Sequence, residues 1–337
     1  PRFFSHPKLF NVFREFAGWG KIMEIEDIGH LNDFISQDKM KEMIWIAEAL
    51  HEKKIAEISD MITDSPRKKK LALISGPSSS GKTTFAKRLS IQLRANGLKT
   101  VEISIDDFFK NREDTPLTPE GEYNFETIEA IDVDLFNDVI NRLIEGEEVE
   151  IPSFNFHTGQ REWIGRKLKI TEDQIIIAEG IHGLNDRLTE GVPSELKFKI
   201  YISPLTHLNI DNHNRIPTSD LRLIRRMVRD YQFRSTEAFE TIKMWDSVRR
   251  GEDKYIYPFQ EEADVMFNSS LAYELSVLKE TAVPLLNKVA SDVIEHVEAK
   301  RLIKFFNYVL PFDSRYVPMN SILREFIGDS CFDEAME

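Results

Sequence analysis

The sequence predicts an α/β fold in which a parallel sheet carries helices on both faces, with helical extensions before and after it. Three observations lead there. From residue 71 onward, short apolar runs alternate with longer helical patterns, the rhythm of strands joined by crossover helices. The first of these runs stops at a glycine and serine stretch, "GPSSSGKTT" (76–84), which opens a helical pattern. Before and after this alternating region, the period of the apolar residues is helical only.

Residues 1–33 read as irregular and aromatic-rich. From about Asp38 to Ile62, Met40, Met43, Ile44, Ala47 and Leu50 recur at three- and four-residue steps, which predicts a helix. "DSPRKKK" (64–70) reads as a polar linker into the first strand. Strands are expected at Leu71–Ser75, Thr100–Ile105, Gln174–Ala178, Phe198–Ile202 and Asp264–Phe267. Helices are expected near Thr83–Asn96, Asp132–Glu145, Asp220–Tyr231 and Thr236–Arg250. After Ser270 the segments "YELSVLKETAVPLLNKVA", "EHVEAKRLIKFFNYVL" and "NSILREFIG" are helical again. The chain thus divides into an N-terminal extension and linker, partly helical (1–66), a core (67–270) and a C-terminal helical extension (271–337).

The loop Gly76-Pro77-Ser78-Ser79-Ser80-Gly81-Lys82-Thr83 fits the phosphate-binding pattern G-x-x-x-x-G-K-[ST], with a strand before it and a helix after it. Glycines let backbone N–H groups turn inward around phosphate oxygens, and the helix presents its positive end to the same anion. Thr84 completes the loop's entry into the helix. Lys82 reaches β- and γ-phosphates, and the Thr83 hydroxyl suits Mg²⁺. The expected ligands are therefore ATP and Mg²⁺.

Two strands end in acids. "VEISIDDFF" delivers Asp106 and Asp107, and "IIIAEGIHG" delivers Glu179. Ligands of open α/β sheets lie at the carboxyl ends of strands. Phosphoryl transfer needs one acid near the metal and one to accept the proton of the acceptor hydroxyl. Two carboxylates from different strands can divide these roles. Farther on, "SDLRLIRRMVRDYQFR" (219–234) carries Arg222, Arg225, Arg226 and Arg229 within an arc of about 100° on a helix. Such a stripe repels itself unless an anion lies against it, and guanidinium forks suit phosphates. Arg234 follows this helix and is expected on a lid over the nucleotide.

Composition narrows the class. Hydrophobic residues make up 41% and charged residues 30% of 337 residues, which suits a protein with a sizeable core. No apolar run approaches the ~18–20 residues of a membrane helix, and the N-terminus does not resemble a signal peptide. A single cysteine, Cys331, rules out an internal disulfide. Together these predict a cytoplasmic location. The net charge of −13 argues against nonspecific nucleic-acid binding. A small molecule is the expected partner, and the oligomeric state is open.

In combination, "GPSSSGKTT", "SIDDFF", "GEYNFETIEAID", "IPSFNF", "IIIAEGIHGLN" and "SDLRLIRRMVRD" resemble the uridine kinase and phosphoribulokinase group of P-loop kinases, in that group's order and over residues 68 to 270. The flanks "EALHEKKIAEISDMI" and "FNSSLAYEL…SILREFIGDSCF" are similar to a bacterial nucleoside (uridine) kinase subgroup. Its members typically carry an N-terminal region similar to that of threonyl-tRNA synthetases. That region does not occur in these 337 residues, which begin at Pro1 without a methionine, and a fragment of something longer is expected.

The resemblance implies a P-loop NTPase-type sheet and roles for particular residues. Asp106 matches the catalytic base and Glu179 the acid near Mg²⁺. Glu126 stands where nucleoside kinases usually hold the ribose hydroxyls with an aspartate. Phe154 and Phe156 fall where aromatic residues flank the base. Arg222, Arg225 and Arg229 match lid-region arginines. Arg161 and His157 are further substrate-side candidates. Two departures stand out: Phe109 replaces a common tyrosine, and Gly159 replaces a histidine that helps read the pyrimidine. The resulting expectation is an ATP-dependent kinase acting on the 5′-hydroxyl of a pyrimidine nucleoside. The alternatives are a kinase for another polyol or sugar phosphate, or a nucleotide-sensing module with little catalysis.

Overall fold

A computed structural model describes residues 6–118, 121, 123–211 and 213–332. Its centre is a five-stranded, wholly parallel sheet of β1 (Leu71–Ser75), β2 (Lys99–Ser104), β7 (Gln174–Glu179), β8 (Lys197–Ser203) and β9 (Val265–Asn268), in the spatial order β2-β7-β1-β8-β9. Between β2 and β7 lie two small antiparallel pairs: β3 (Val149–Glu150) with β6 (Lys167–Leu168), and β4 (Ser153–Asn155) with β5 (Gln160–Glu162). Each strand of the large sheet begins and ends within one residue of its expected bounds.

The central strand β1 is apolar and buried along its length, and β7 and β8 are largely so, because both faces of the sheet are covered; β2, at the edge, carries Lys99 and Glu102. Alternate side chains point to opposite faces. Ala72, Ile74, Ile175, Ile177, Ile200 and Ile202 enter one core cluster. Leu71, Leu73, Ile103, Ile176 and Ala178 enter another on the opposite side. The first cluster is packed by α3 (Met40–Thr63), α4 (Lys82–Ala95), α6 (Thr218–Arg234), α7 (Ala238–Tyr255), α8 (Glu274–Asn287) and α9 (His296–Phe306). The second is packed by α5 (Val133–Ile144), whose Phe136, Val139, Ile140 and Leu143 are buried. The first cluster runs without interruption from Ile25 to Phe326, so both terminal extensions share the core of the sheet. Among the described residues no helix is long and apolar enough to cross a membrane.

Three expectations are corrected. Residues 1–5 of the segment expected to be irregular lie outside the described residues, and the rest of it is largely helical: α1 (Pro7–Ile22) starts with a proline at its N-terminus, and α2 (Ile28–Ser36) is capped by Asp27, whose carboxylate accepts from the His30 N–H at 3.0 Å. Helix α7 does not stop at Arg250 but continues through Gly251 to Tyr255. A Cβ at Gly251 would lie 2.5 Å from the Cβ of Glu126, so the glycine admits a neighbour and does not end the helix. Finally, Arg234 closes the last turn of α6 instead of following it on a lid.

Candidate active site

β1 delivers the chain to residues 76–81, which turn at the carboxyl edge of the sheet into α4. A Cβ on Gly76 would lie 2.1 Å from the carbonyl oxygen of Ile202 on β8, so only glycine passes here. Gly81 has φ +87°, a left-handed conformation that glycine adopts without strain. The loop backbone is held from behind. Arg222 Nε donates to Ser78 O at 3.0 Å, Ser269 Oγ to Ser80 O at 2.5 Å, and Ser78 N to Glu252 Oε1 at 3.0 Å. Lys82 Nζ folds back on its own loop, donating to Gly76 O at 3.0 Å and Pro77 O at 3.2 Å.

In front of the loop is a cavity of about 350 Å³. Its floor is formed by Ser78, Ser79, Lys82 and Thr83, with Asp106 and Glu179 beside them. The two carboxylates meet because β2 and β7 pair in parallel with Ser104 opposite Glu179. Glu179 is the last residue of its strand, and Asp106 lies in the 3-10 turn Ile105–Phe108 directly after β2. Asp107 faces the other way, accepting from the Phe154 N–H at 3.4 Å and pairing with Arg166 at 3.5 Å.

Burial raises the Asp106 carboxyl above the ordinary aspartate range, while the charges of Lys82 and Arg234 pull it back. Burial, and then the neighbouring charge of Asp106, push Glu179 up to about 7. A site built this way binds cations and proton-bearing groups readily. The Thr83 hydroxyl and the two carboxylates are hard oxygen donors in one cavity. Among the described residues no set of three or more His, Cys, Asp or Glu converges as a ready metal cage. Such donors suit a cation held by one or two protein oxygens and completed by phosphate oxygens.

The roof comes from α6. Arg226, Arg229 and Arg234 line the cavity, and their guanidiniums gather on one buried acid, Asp230. Arg229 Nη2 lies 2.7 Å and Arg226 Nε 3.2 Å from its oxygens, and Arg226 Nη1 also donates to Ser78 Oγ at 3.1 Å. Arg222 and Arg225 depart from the expectation that they reach the nucleotide. Their side chains are 2% and 0% exposed and lie behind the loop. Arg222 pairs with Glu252 and donates to Tyr257 Oη at 2.8 Å, and Arg225 Nε donates to Glu274 Oε2 at 2.6 Å. These partners lie 30 and 49 residues away in sequence, so the stripe alone did not reveal them.

The far wall is aromatic. Phe109, Phe125, Phe154 and Phe156 line it, with Arg112 at its edge. Phe154 and Phe156 share one side of their extended segment, with ring centroids 5.1 Å apart, and Phe109 lies 5.4 Å from Phe154. Glu126 borders both wall and floor. Burial pushes its carboxyl up to about 7, against the pull of Arg226. His157 and Arg161 are not among the cavity's lining residues. His157 is exposed in the turn between β4 and β5, its N–H donating to Asn155 Oδ1 at 3.0 Å. Arg161 Nη1 is held by Asp132 Oδ2 at 2.7 Å. Sequence reasoning passed over Arg112, Phe125, Asp230 and Glu325. For Asp230 a signal existed in its four-residue spacing from Arg226 and Arg234.

The core of the chain is similar to known proteins. The model of the Phosphoribulokinase / Uridine kinase family matches residues 72–275. A uridine kinase of Borrelia duttonii is 30% identical over 223 residues, 64% of this chain and 96% of that protein. The mouse uridine-cytidine kinase-like 1 is 27% identical over 57% of this chain, and the chain spans about a third (32%) of its length. The solved structure of a possible uridine kinase from Bacillus stearothermophilus aligns with 64% of this chain and 98% of its own at 22% identity, with a TM-score of 0.42. With the family model covering the strand-to-helix loop, both carboxylate-bearing strand ends and the arginine helix, the chain belongs to the phosphoribulokinase/uridine kinase family.

Proposed function

We propose that this protein transfers the γ-phosphate of Mg-ATP to a hydroxyl of a small molecule, most fittingly the 5′-hydroxyl of a ribonucleoside. The observation that carries this reading is the apposition of Asp106 and Glu179 at adjacent strand ends, directly beside Lys82 and the start of α4. A loop that only sensed a nucleotide would need no positioned base.

In this reading the N–H groups of the loop and the first turn of α4 hold the phosphates. Lys82 leaves Gly76 O and Pro77 O to meet the β- and γ-oxygens. Thr83 and Glu179 would hold Mg²⁺, which would supply charge neutralisation on the phosphate chain. Asp106 accepts the acceptor's proton as its oxygen attacks phosphorus. The charges of Lys82 and Arg234 favour the ionised Asp106 that this step requires. Arg226, Arg229 and Arg234 take up charge on the transferring group, and because they converge on Asp230 they need little reorganisation.

The acceptor lies between Glu126 and the four phenylalanines. Glu126 supplies oxygens for vicinal hydroxyls, and the rings supply a flat apolar slot. That wall offers Phe109 where a hydroxyl would read a base, so base selection is looser than in a strict uridine kinase, because rejection depends chiefly on unmet hydrogen bonds. The test is a panel of nucleosides, polyols and sugar phosphates with Mg-ATP, followed by ³¹P NMR of the products. Phosphorylation of several ribonucleosides is expected. A polyol or sugar phosphate as sole acceptor would overturn the nucleoside reading and leave the kinase reading intact.

A further inference from the structure

The C-terminal segment crosses the phosphate-binding loop and leaves a carboxylate on it. Ile322, Leu323 and Phe326 are fully buried. Ile322 fills the space beside Gly81, where a Cβ would lie 2.4 Å from its Cγ2, and the Phe326 ring lies 4.9 Å from the Arg225 guanidinium carbon. Between these anchors, in the short helix α10 (Arg324–Ile327), Glu325 turns into the cavity. Its Oε2 accepts from the Thr84 N–H at 3.0 Å.

Thr84 is the third residue of α4, after Lys82 and Thr83. Its N–H is one of the few at a helix start with no partner inside the helix. In a loop of this kind those N–H groups, together with the helix dipole, are what a phosphate chain uses. Glu325 therefore brings one negative charge to a donor that the nucleotide needs. The same charge also helps push the nearby Glu179 carboxyl up.

We propose that Glu325 is an affinity-setting residue of the donor site: an anion of the protein seated on the Thr84 N–H that a nucleotide must displace. This rests on the nucleotide-site reading above. Carboxylate and phosphate cannot share the Thr84 N–H without like charges in contact, so binding requires the Glu325 side chain to turn away while Ile322 and Phe326 stay in place. The contact lowers affinity for every nucleotide and leaves the chemistry at Asp106 untouched.

The experiment compares wild type, Glu325→Gln and Glu325→Ala in binding of ADP, by calorimetry at fixed ionic strength without divalent cations. Thermal melts accompany each titration, and the glutamine variant keeps the shape should the alanine variant fail to fold. Both variants are expected to bind ADP more tightly, by roughly 3- to 10-fold, the scale of one carboxylate at a helix N-terminus. Affinity that is unchanged or weaker in the folded glutamine variant overturns the proposal. If neither wild type nor variants bind ADP at all, the nucleotide-site reading itself falls.

Discussion

Helix α6 carries two groups of arginines with opposite employment. Arg222 and Arg225 are buried behind the loop, each closed onto one acid, Glu252 or Glu274. Arg226, Arg229 and Arg234 look into the cavity and share Asp230. Arg225 and Arg226 are neighbours, about 100° apart around the helix and only about 1.5 Å apart along it, while Arg229 lies between Arg222 and Arg225 in rotation, so neither coordinate alone divides the groups. The partners do: Glu252 and Glu274 hold the first pair behind the loop, and Asp230 holds the others at the cavity. An arginine stripe predicts an anion somewhere along its face. Which arginine meets a ligand anion, and which a carboxylate of the protein, depends on acids supplied by other segments.

The largest expected effect concerns the acid that the forward group faces. Asp106→Asn should lower kcat by about 10²–10⁴-fold, as for loss of a general base, with ATP affinity little changed. Steady-state kinetics beside nucleotide titration checks this. Weak ATP binding with normal turnover would instead make Asp106 a metal or structural residue.

Next comes the contrast itself. Arg225→Ala leaves Glu274 charged and buried, which should cost about 3–5 kcal/mol of stability. Arg229→Ala leaves Asp230 still paired with Arg226 and Arg234, so it should cost less stability than Arg225→Ala, yet slow phosphate transfer. Urea denaturation of the two variants, read with their kcat values, reverses the assignment if the costs are exchanged.

A subtler test addresses the shared acid. Asp230→Asn removes the charge on which Arg226, Arg229 and Arg234 converge while keeping the shape. ATP should bind as well or better, because the roof becomes more positive, but kcat should fall by roughly 10- to 100-fold as the guanidiniums lose their fixed geometry. A parallel loss in KM and kcat would show Asp230 to be merely structural.

The smallest effect is one of pH. Burial holds the Glu126 carboxyl at about 7, against an ordinary 4.5 for glutamate. Between these values the folded chain binds more protons than the unfolded one, so Glu126 makes the protein less stable as pH rises through this window. Glu126→Gln should therefore gain little at pH 5 and roughly 1–3 kcal/mol at pH 8. Equal gains at both values would remove the burial argument.

The sheet was legible because its strands carry short buried apolar runs bounded by polar segments, and the loop because its residue types are dictated by phosphate geometry. Asp106 and Glu179 were legible as acids at strand ends. Their adjacency was not, since it follows from the pairing of β2 with β7, whose residues are 75 positions apart at Ser104 and Glu179. His157 and Arg161 looked suitable by residue type, but a hairpin turn and Asp132 take them out of the cavity. Glu325 carried no signal, because a lone glutamate in a helical tail gains meaning only when the tail is seen lying on Gly81.

The dispersal of the loop's supports has a consequence for biosynthesis. Residues 76–84 leave the ribosome before the groups that hold and satisfy them, which come from residues 222, 225, 252, 269, 322 and 325. A nascent chain stopped before Ile322 has the whole phosphate-binding motif yet lacks the segment that packs on Gly81 and neutralises the start of α4. Contacts that distant in sequence form late and cooperatively. The loop therefore takes its final shape only once residues up to Glu325 have packed around it.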